Sequence, residues 1–135
     1  MSAQLWALAV AGAIVLAAAC LELYRSRRAA RLAAGATVPP SKDPYILYFT
    51  SHSCAVCRTH QEPALAKLVG IRIDKVDAVA ERELAERFHV YTLPTTVVIA
   101  GDGHALHVNY GYAPAPKLER QLAEARSSKL STATA

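Results

Sequence analysis

The chain has 135 residues, 53% of them hydrophobic, and sets 15 Lys and Arg against 11 Asp and Glu with only three Cys. These figures exclude a disulfide-stapled miniprotein and a disordered tail, and leave room for one modest domain plus an appendage. The basic excess is local: Arg25, Arg27, Arg28, Arg31 and Lys42 oppose only Asp43 between residues 25 and 43, while from residue 44 onward 10 basic residues face 9 acidic ones. The pI near 9.1 is therefore no argument for nucleic-acid binding, and none is expected.

Leu5 through Leu21 contains no charged residue, and with Gln4, Leu23 and Tyr24 it reaches about 20 residues, the length of a bilayer-spanning helix. Trp6 and Tyr24 stand near its ends, where amphipathic rings favour the headgroup layer. A cleaved signal peptide is the rival reading. It calls for a basic stretch first, which Met1 to Gln4 lacks, and the run Ala17-Ala18-Ala19-Cys20 is only faintly like a lipoprotein cleavage site. Residues 1–24 are thus expected to be a retained transmembrane anchor, contacting the membrane through residues 5–24. The four Arg that follow are expected to stay on the cytoplasmic side, which puts the domain in the cytosol; an extracytoplasmic domain is the alternative. Cys20 reads as a small apolar residue in a membrane helix.

Residues 25–44 read as a basic, proline-containing tether: the Ala/Arg part continues the helix or lies on anionic headgroups, and Pro39-Pro40 and Asp43-Pro44 favour an extended spacer. The domain is expected over residues 45–126. Tyr45 to Thr50 is a continuous apolar, aromatic and β-branched run that suits a strand covered on both faces. Ser51-His52-Ser53 turns into a helix from Cys54 to about Val69, with Val56, Leu65, Leu68 and Val69 inward and Pro63 bending it. Gly70 ends that helix, and Ile71 to Val76 is a second strand. Asp77 caps a helix through about Phe88. Thr95 to Ala100 and Ala105 to Tyr110 form a hairpin about Gly101-Asp102-Gly103, and an amphipathic helix carrying Leu118 and Leu122 follows Pro114. Residues 127–135 are expected to be a flexible tail. The order β-α-β-α-β-β-α implies an α/β fold with a four-stranded mixed sheet and helices on both faces.

Chemistry enters with Cys54-Ala55-Val56-Cys57, where the first strand hands over to the first helix. Backbone N–H groups and the dipole at a helix N-terminus favour a thiolate, and two intervening residues bring Cys57 one turn from Cys54, close enough for a disulfide. Cys54 is then the attacking thiol and Cys57 the resolving one. Two thiols are also half of a zinc site, and His60 and His52 are the groups that would complete a mononuclear site; no second CxxC accompanies them, so no metal is expected. The second signal is Leu93-Pro94-Thr95 at the start of the third strand, where a proline that cannot donate to the ladder needs a positional reason.

Taken together, YILYFT, CAVC followed by Arg58, Pro63, TLPT, the GDG turn and Gly111 resemble the thioredoxin family over roughly Tyr45 to Ala125. That resemblance implies a cis Pro94 facing the CxxC turn, and thiol–disulfide exchange through Cys54 and Cys57. It also implies a substrate platform of Ala55, Val56, Thr92, Leu93 and Pro94, and no cofactor beyond a redox-active Cys54–Cys57 disulfide. Partners would be protein disulfides and a thiol electron donor. There are departures. The family's first strand and helix are missing, so the fold is a trimmed one; Ser53 replaces the usual Trp before the first Cys, and Pro63 comes one position later than the family's kinking proline. Tyr48 stands where thioredoxins bury an Asp, and Ile73 aligns with its Lys partner. Deprotonation of Cys57 then falls to His52, His60, Tyr48 or water. On a reducing cytosolic face the expected activity is membrane-tethered protein-disulfide reduction. A redox-weak binding or chaperone module, or a Cys/His metal-handling domain, is the alternative.

Overall fold

The computed structural model describes residues 2–33 and 35–133. Helix α1 (Ala3–Ala33) is followed by strand β1 (Tyr45–Thr50) and a helix that opens with a π-turn (Cys57–Gln61) before α2 (Glu62–Ala66). Then come β2 (Ile73–Asp77), α3 (Arg82–Arg87), β3 (Thr95–Ile99), β4 (Ala105–Tyr110) and α4 (Ala115–Ala133). The sheet order is β2-β1-β3-β4, with β1 parallel to β2, β3 antiparallel to β1, and β4 antiparallel to β3. The mixed four-stranded α/β architecture expected from the sequence is the one observed.

Every residue of β1 and β3 is buried, which is why both read as unbroken apolar and β-branched runs rather than alternating ones. Alternate side chains feed two cores. Ile46, Tyr48 and Val98 face Leu65, Leu68, Leu118 and Leu122 from α2, its C-terminal turn and α4. Leu47, Phe49, Val97 and Ile99 face Ala85 and Phe88 on the α3 side. A buried amide pair joins β4 to α4: Asn109 Nδ2 donates to Gln121 Oε1 at 2.8 Å, and Gln121 Nε2 returns the bond at 2.9 Å. Paired this way, neither amide is left unsatisfied.

Several boundaries differ from the sequence reading, each for a local reason. Helix α2 ends at Ala66, and Val69 lies in the following turn with 91% of its surface exposed. Val56 is also exposed rather than inward. Asp77 caps a turn and not a helix: its Oδ1 accepts from the N–H groups of Val79 and Ala80, and α3 starts only at Arg82. The C-terminal stretch is not a loose tail as far as Ala133, because α4 continues through it; Thr134 and Ala135 lie outside the described residues.

The tether is the larger difference. Helix α1 runs on through Ala33, and the chain after it is strapped along the β3–β4 turn. Ala36 is buried, Thr37 bridges His104, Val38 N–H donates to the Gly103 carbonyl at 3.1 Å, and Ser41 N–H donates to the Gly101 carbonyl at 2.9 Å. Arg87 and Lys129 add side-chain bonds to the carbonyls of Thr37 and Lys42. An extended, proline-rich segment is well suited to this pairing, and with the end of α1 it covers an edge strand that would otherwise present open backbone groups. Gly103 permits the close approach: its φ is +92°, and a Cβ there would stand 2.2 Å from the Val38 carbonyl oxygen. Gly103→Ala is expected to destabilise the domain by about 1–3 kcal/mol in denaturant melts, whereas Gly111→Ala, with φ +81° but open space, should cost no more than about 1 kcal/mol.

Candidate active site

The site forms where β1 ends. Ser51 to Ser53 make the turn, the Cys54 N–H donates to the Ser51 carbonyl at 3.2 Å, and the helix begins at Ala55. Cys54 and Cys57 are joined as a disulfide with their Cα atoms 5.3 Å apart. Their exposures are unequal. Cys57 is completely buried within the cluster formed by Ile46, Tyr48, Leu65 and Val98, whereas Cys54 is only partly covered by it. The Cys57 backbone N–H points at Cys54 Sγ at 3.3 Å, one of the helix-terminal donors that has no intrahelical acceptor. When the bond opens, that donor and the helix dipole favour negative charge on Cys54.

The π-turn explains the displaced proline. Glu62 N–H reaches back to the Cys57 carbonyl, a wide turn that accommodates one more residue than an α-turn before Pro63, which has no N–H of its own to give. It also turns Gln61 inward. The Gln61 side chain is fully buried and pairs with one backbone unit: Nε2 donates to the Ala113 carbonyl at 3.0 Å, and Oε1 accepts the Ala113 N–H at 2.9 Å. Two residues earlier, Gly111 N–H donates to the Pro94 carbonyl at 2.8 Å. A continuous set of bonds thus ties the cysteine helix to the proline loop. The sequence reading missed Gln61; the signal was a Gln four residues after the second Cys, on the stripe that carries Leu65 and Leu68.

The Leu93–Pro94 peptide is cis and Pro94 is buried. Leu93 is half-buried and packs against the same cluster as Cys54 and Cys57, while Thr92 is exposed and its carbonyl accepts from Thr95 Oγ1 at 2.8 Å. Ala55 and Val56 are exposed on the other side of the cysteines. Tyr112, which the sequence reading also passed over, stands exposed with its ring edge-on to His60 at 6.1 Å.

Tyr48 lies beneath this surface, 1% exposed, and its hydroxyl has no hydrogen-bond partner among the described residues. Burial, before any neighbouring charge, pushes its pKa above that of an ordinary tyrosine, so at neutral pH it is a neutral hydroxyl and not a base. Strand pairing sets Lys75, and not the Ile73 of the sequence alignment, opposite Tyr48, and Lys75 Nζ donates to Glu62 Oε1 at 2.8 Å. Tyr48→Phe is expected to leave stability unchanged or raise it by up to about 1 kcal/mol, since it removes only an unpaired buried polar atom; a shift of the denaturation midpoint checks this.

His52 and His60 flank the cysteines without joining them. His52 is exposed, its carbonyl accepts from the Arg58 guanidinium, and with Arg58, Glu62, Lys75 and Asp77 it lines a polar cleft of about 320 Å³. The Asp77 carboxyl is held below its usual range by the N–H groups of Ala80 and Val79, with the neighbouring His52 adding to the effect. The stability contributed by this turn is therefore present at neutral pH and is lost as pH falls through that lowered pKa. His60 Nδ1 lies 2.7 Å from Thr59 Oγ1. Among the described residues no three His, Cys, Asp or Glu side chains converge as metal ligands, so the Cys54, Cys57, His52 and His60 set is not assembled.

No family model matches the chain, and no curated protein does. Among solved structures, it is similar to thioredoxin-2 of a malaria parasite, a component of that organism's protein secretion machinery, at 26% identity and a TM-score of 0.56, over 66% of this chain and 89% of the other. Fasciola hepatica thioredoxin matches at 28% identity and a TM-score of 0.53, over 62% of this chain and 82% of its own. Oxidised mitochondrial thioredoxin 3 of Saccharomyces cerevisiae matches at 26% and 0.53, over 61% and 78%. With this sheet, these neighbours and a closed Cys54–Cys57 pair at the head of its first domain helix, the chain has a thioredoxin-like fold in a four-stranded, trimmed form.

Proposed function

We propose that this protein is a membrane-tethered thiol–disulfide oxidoreductase that reduces protein disulfides. The fold and the cysteine pair support a thiol redox role; the observation that carries the reading further is the inequality of the two sulfurs, one at the surface under a backbone N–H and one enclosed. In the reduced protein the Cys54 thiolate attacks a substrate sulfur, and a mixed disulfide forms as the substrate's other sulfur leaves as a thiolate. Cys57, deprotonated, then attacks Cys54 Sγ, which closes the intramolecular disulfide and releases the second substrate thiolate. A thiol electron donor reopens the pair. No cofactor takes part.

The substrate segment is taken to lie across Thr92, Leu93 and Pro94, with Ala55 and Val56 on the facing side. The carbonyls of Thr92 and Pro94 are occupied by Thr95 and Gly111, which leaves the Leu93 backbone, ahead of the β3 ladder, to pair with an extended partner. The anchor is the first part of α1: residues Ala3–Arg28 are long and apolar enough to cross a membrane, and the most apolar part of that stretch is not buried by the domain. The basic residues that follow support a cytosolic domain, whose reducing surroundings favour reduction over oxidation. The test uses the full chain in sealed membrane vesicles, scored for insulin-disulfide reduction with a thiol donor and for labelling of Cys54 by a membrane-impermeant maleimide from each side. Activity together with labelling from the cytosolic face is expected. Inactivity with a competent donor contradicts the redox reading, and labelling from the opposite face contradicts the topology.

A further inference from the structure

A second cavity shares no lining residue with the polar cleft beside His52. About 410 Å³ in volume, it lies between the C-terminal half of α1 and the β4 edge. Its polar lining is strongly unbalanced: Arg25 and Arg28 come from α1 and Lys117 from α4, while among the described residues Glu22 is the only acid lining it. Ser26 adds a neutral hydroxyl, and the Asn109 amide and Tyr110 hydroxyl are bonded to Gln121 and to the His89 carbonyl. Three cations around one recess, with a single carboxylate in it, call for an anionic occupant. Its position narrows the choice. The α1 residues in the lining, Glu22 to Arg28, begin where the uncharged apolar run Leu5 to Leu21 stops, so a helix that spans the bilayer holds this recess at headgroup depth.

We propose that the cavity is a binding site for the phosphate headgroup of an anionic lipid, gripped jointly by the juxtamembrane helix and by Lys117 of the domain. The inference rests on the membrane-tethered reading of α1. Occupied, the site clamps the domain to the end of its anchor at a fixed orientation; Arg and Lys differ in their parts, the two guanidiniums offering forked donors to phosphate oxygens and Lys117 a point charge.

The test is native mass spectrometry of the full chain in neutral detergent with added phosphatidylglycerol, phosphatidylcholine or free glycerol phosphate. Detergent removes the charged bilayer, so general attraction of a basic helix to a surface contributes little. A one-to-one phosphatidylglycerol adduct is expected, with affinity reduced roughly tenfold or more in Arg28→Gln/Lys117→Gln. In Arg27→Gln/Arg31→Gln, which removes the same charge outside the cavity lining, the adduct should persist. Equal losses in the two double variants, equal retention of phosphatidylcholine, or glycerol phosphate binding as tightly as the lipid would each overturn the proposal. Carbonate extraction of native membranes reports separately on the anchor: a chain released by carbonate fails the tethered reading itself, whereas a chain retained in the membrane but lacking the adduct fails only the headgroup site.

Discussion

Cys54→Ser is expected to lower insulin-disulfide reduction by at least roughly three orders of magnitude, because it removes the sulfur proposed to attack the substrate. Cys57→Ser should be different in kind. It leaves the nucleophile and removes the step that frees the substrate, so turnover stops while mixed disulfides through Cys54 accumulate. Non-reducing gels of the membrane fraction, with Cys54→Ser/Cys57→Ser as the control, separate the outcomes. Partners retained by the double variant would favour a binding module over an enzyme. Neither substitution is expected to unfold the chain: Cys57 lies in a cluster held by Ile46, Tyr48, Leu65 and Val98, and Ser at residue 57 makes only a small volume change there.

The second large effect falls on Gln61. Gln61→Ala strips both partners from the Ala113 backbone inside the domain and opens a cavity beside Cys57, and should cost about 3 kcal/mol, equivalent to a fall of about 15 °C in Tm. Because Gln61 holds the cysteine helix to the segment that bonds Pro94, substrate exchange should weaken beyond what partial unfolding explains when assayed well below Tm. Gln61→Glu provides the matched comparison. An ionised carboxylate can accept the Ala113 N–H but cannot donate to its carbonyl, and burial raises its pKa. With the folded pKa above the unfolded value of about 4.3, the variant is least stable at neutral pH and regains stability as pH falls toward and below that value, where the protonated acid can donate. A Gln61→Glu variant as stable as wild type at neutral pH would remove this residue from its assigned place.

Much of the fold could be read from the chain because its central strands are buried on both faces. Tyr45-Ile46-Leu47-Tyr48-Phe49-Thr50 and Thr95-Thr96-Val97-Val98-Ile99 admit few readings other than interior strands, and CAVC at the exit of the first one locates the site. What escaped the sequence was decided by contacts between distant segments. Nothing local says that Thr37 to Ser41 pair with the Gly101–Gly103 turn, since the prolines there fit a free spacer equally well. Val69 fits the helical apolar pattern, yet the chain turns at Lys67 before the residue can reach the core. Lys75, two residues after Ile73 and on the same face of β2, sits opposite Tyr48 and pairs with Glu62, a register that strand pairing sets and residue spacing alone does not. Gln61 was legible only as a polar residue in an apolar stripe; its partner lies 52 residues away.

The most direct measurement is the pH dependence of alkylation of the two thiols in the reduced chain, each followed by peptide mass. Cys54 is expected to react first, with an apparent pKa clearly below the ordinary value of about 8.5, while Cys57 stays protected until the domain is unfolded. A Cys54 that titrates at about 8.5, or a Cys57 that reacts as readily as its neighbour, would contradict the assignment of attacking and resolving sulfurs.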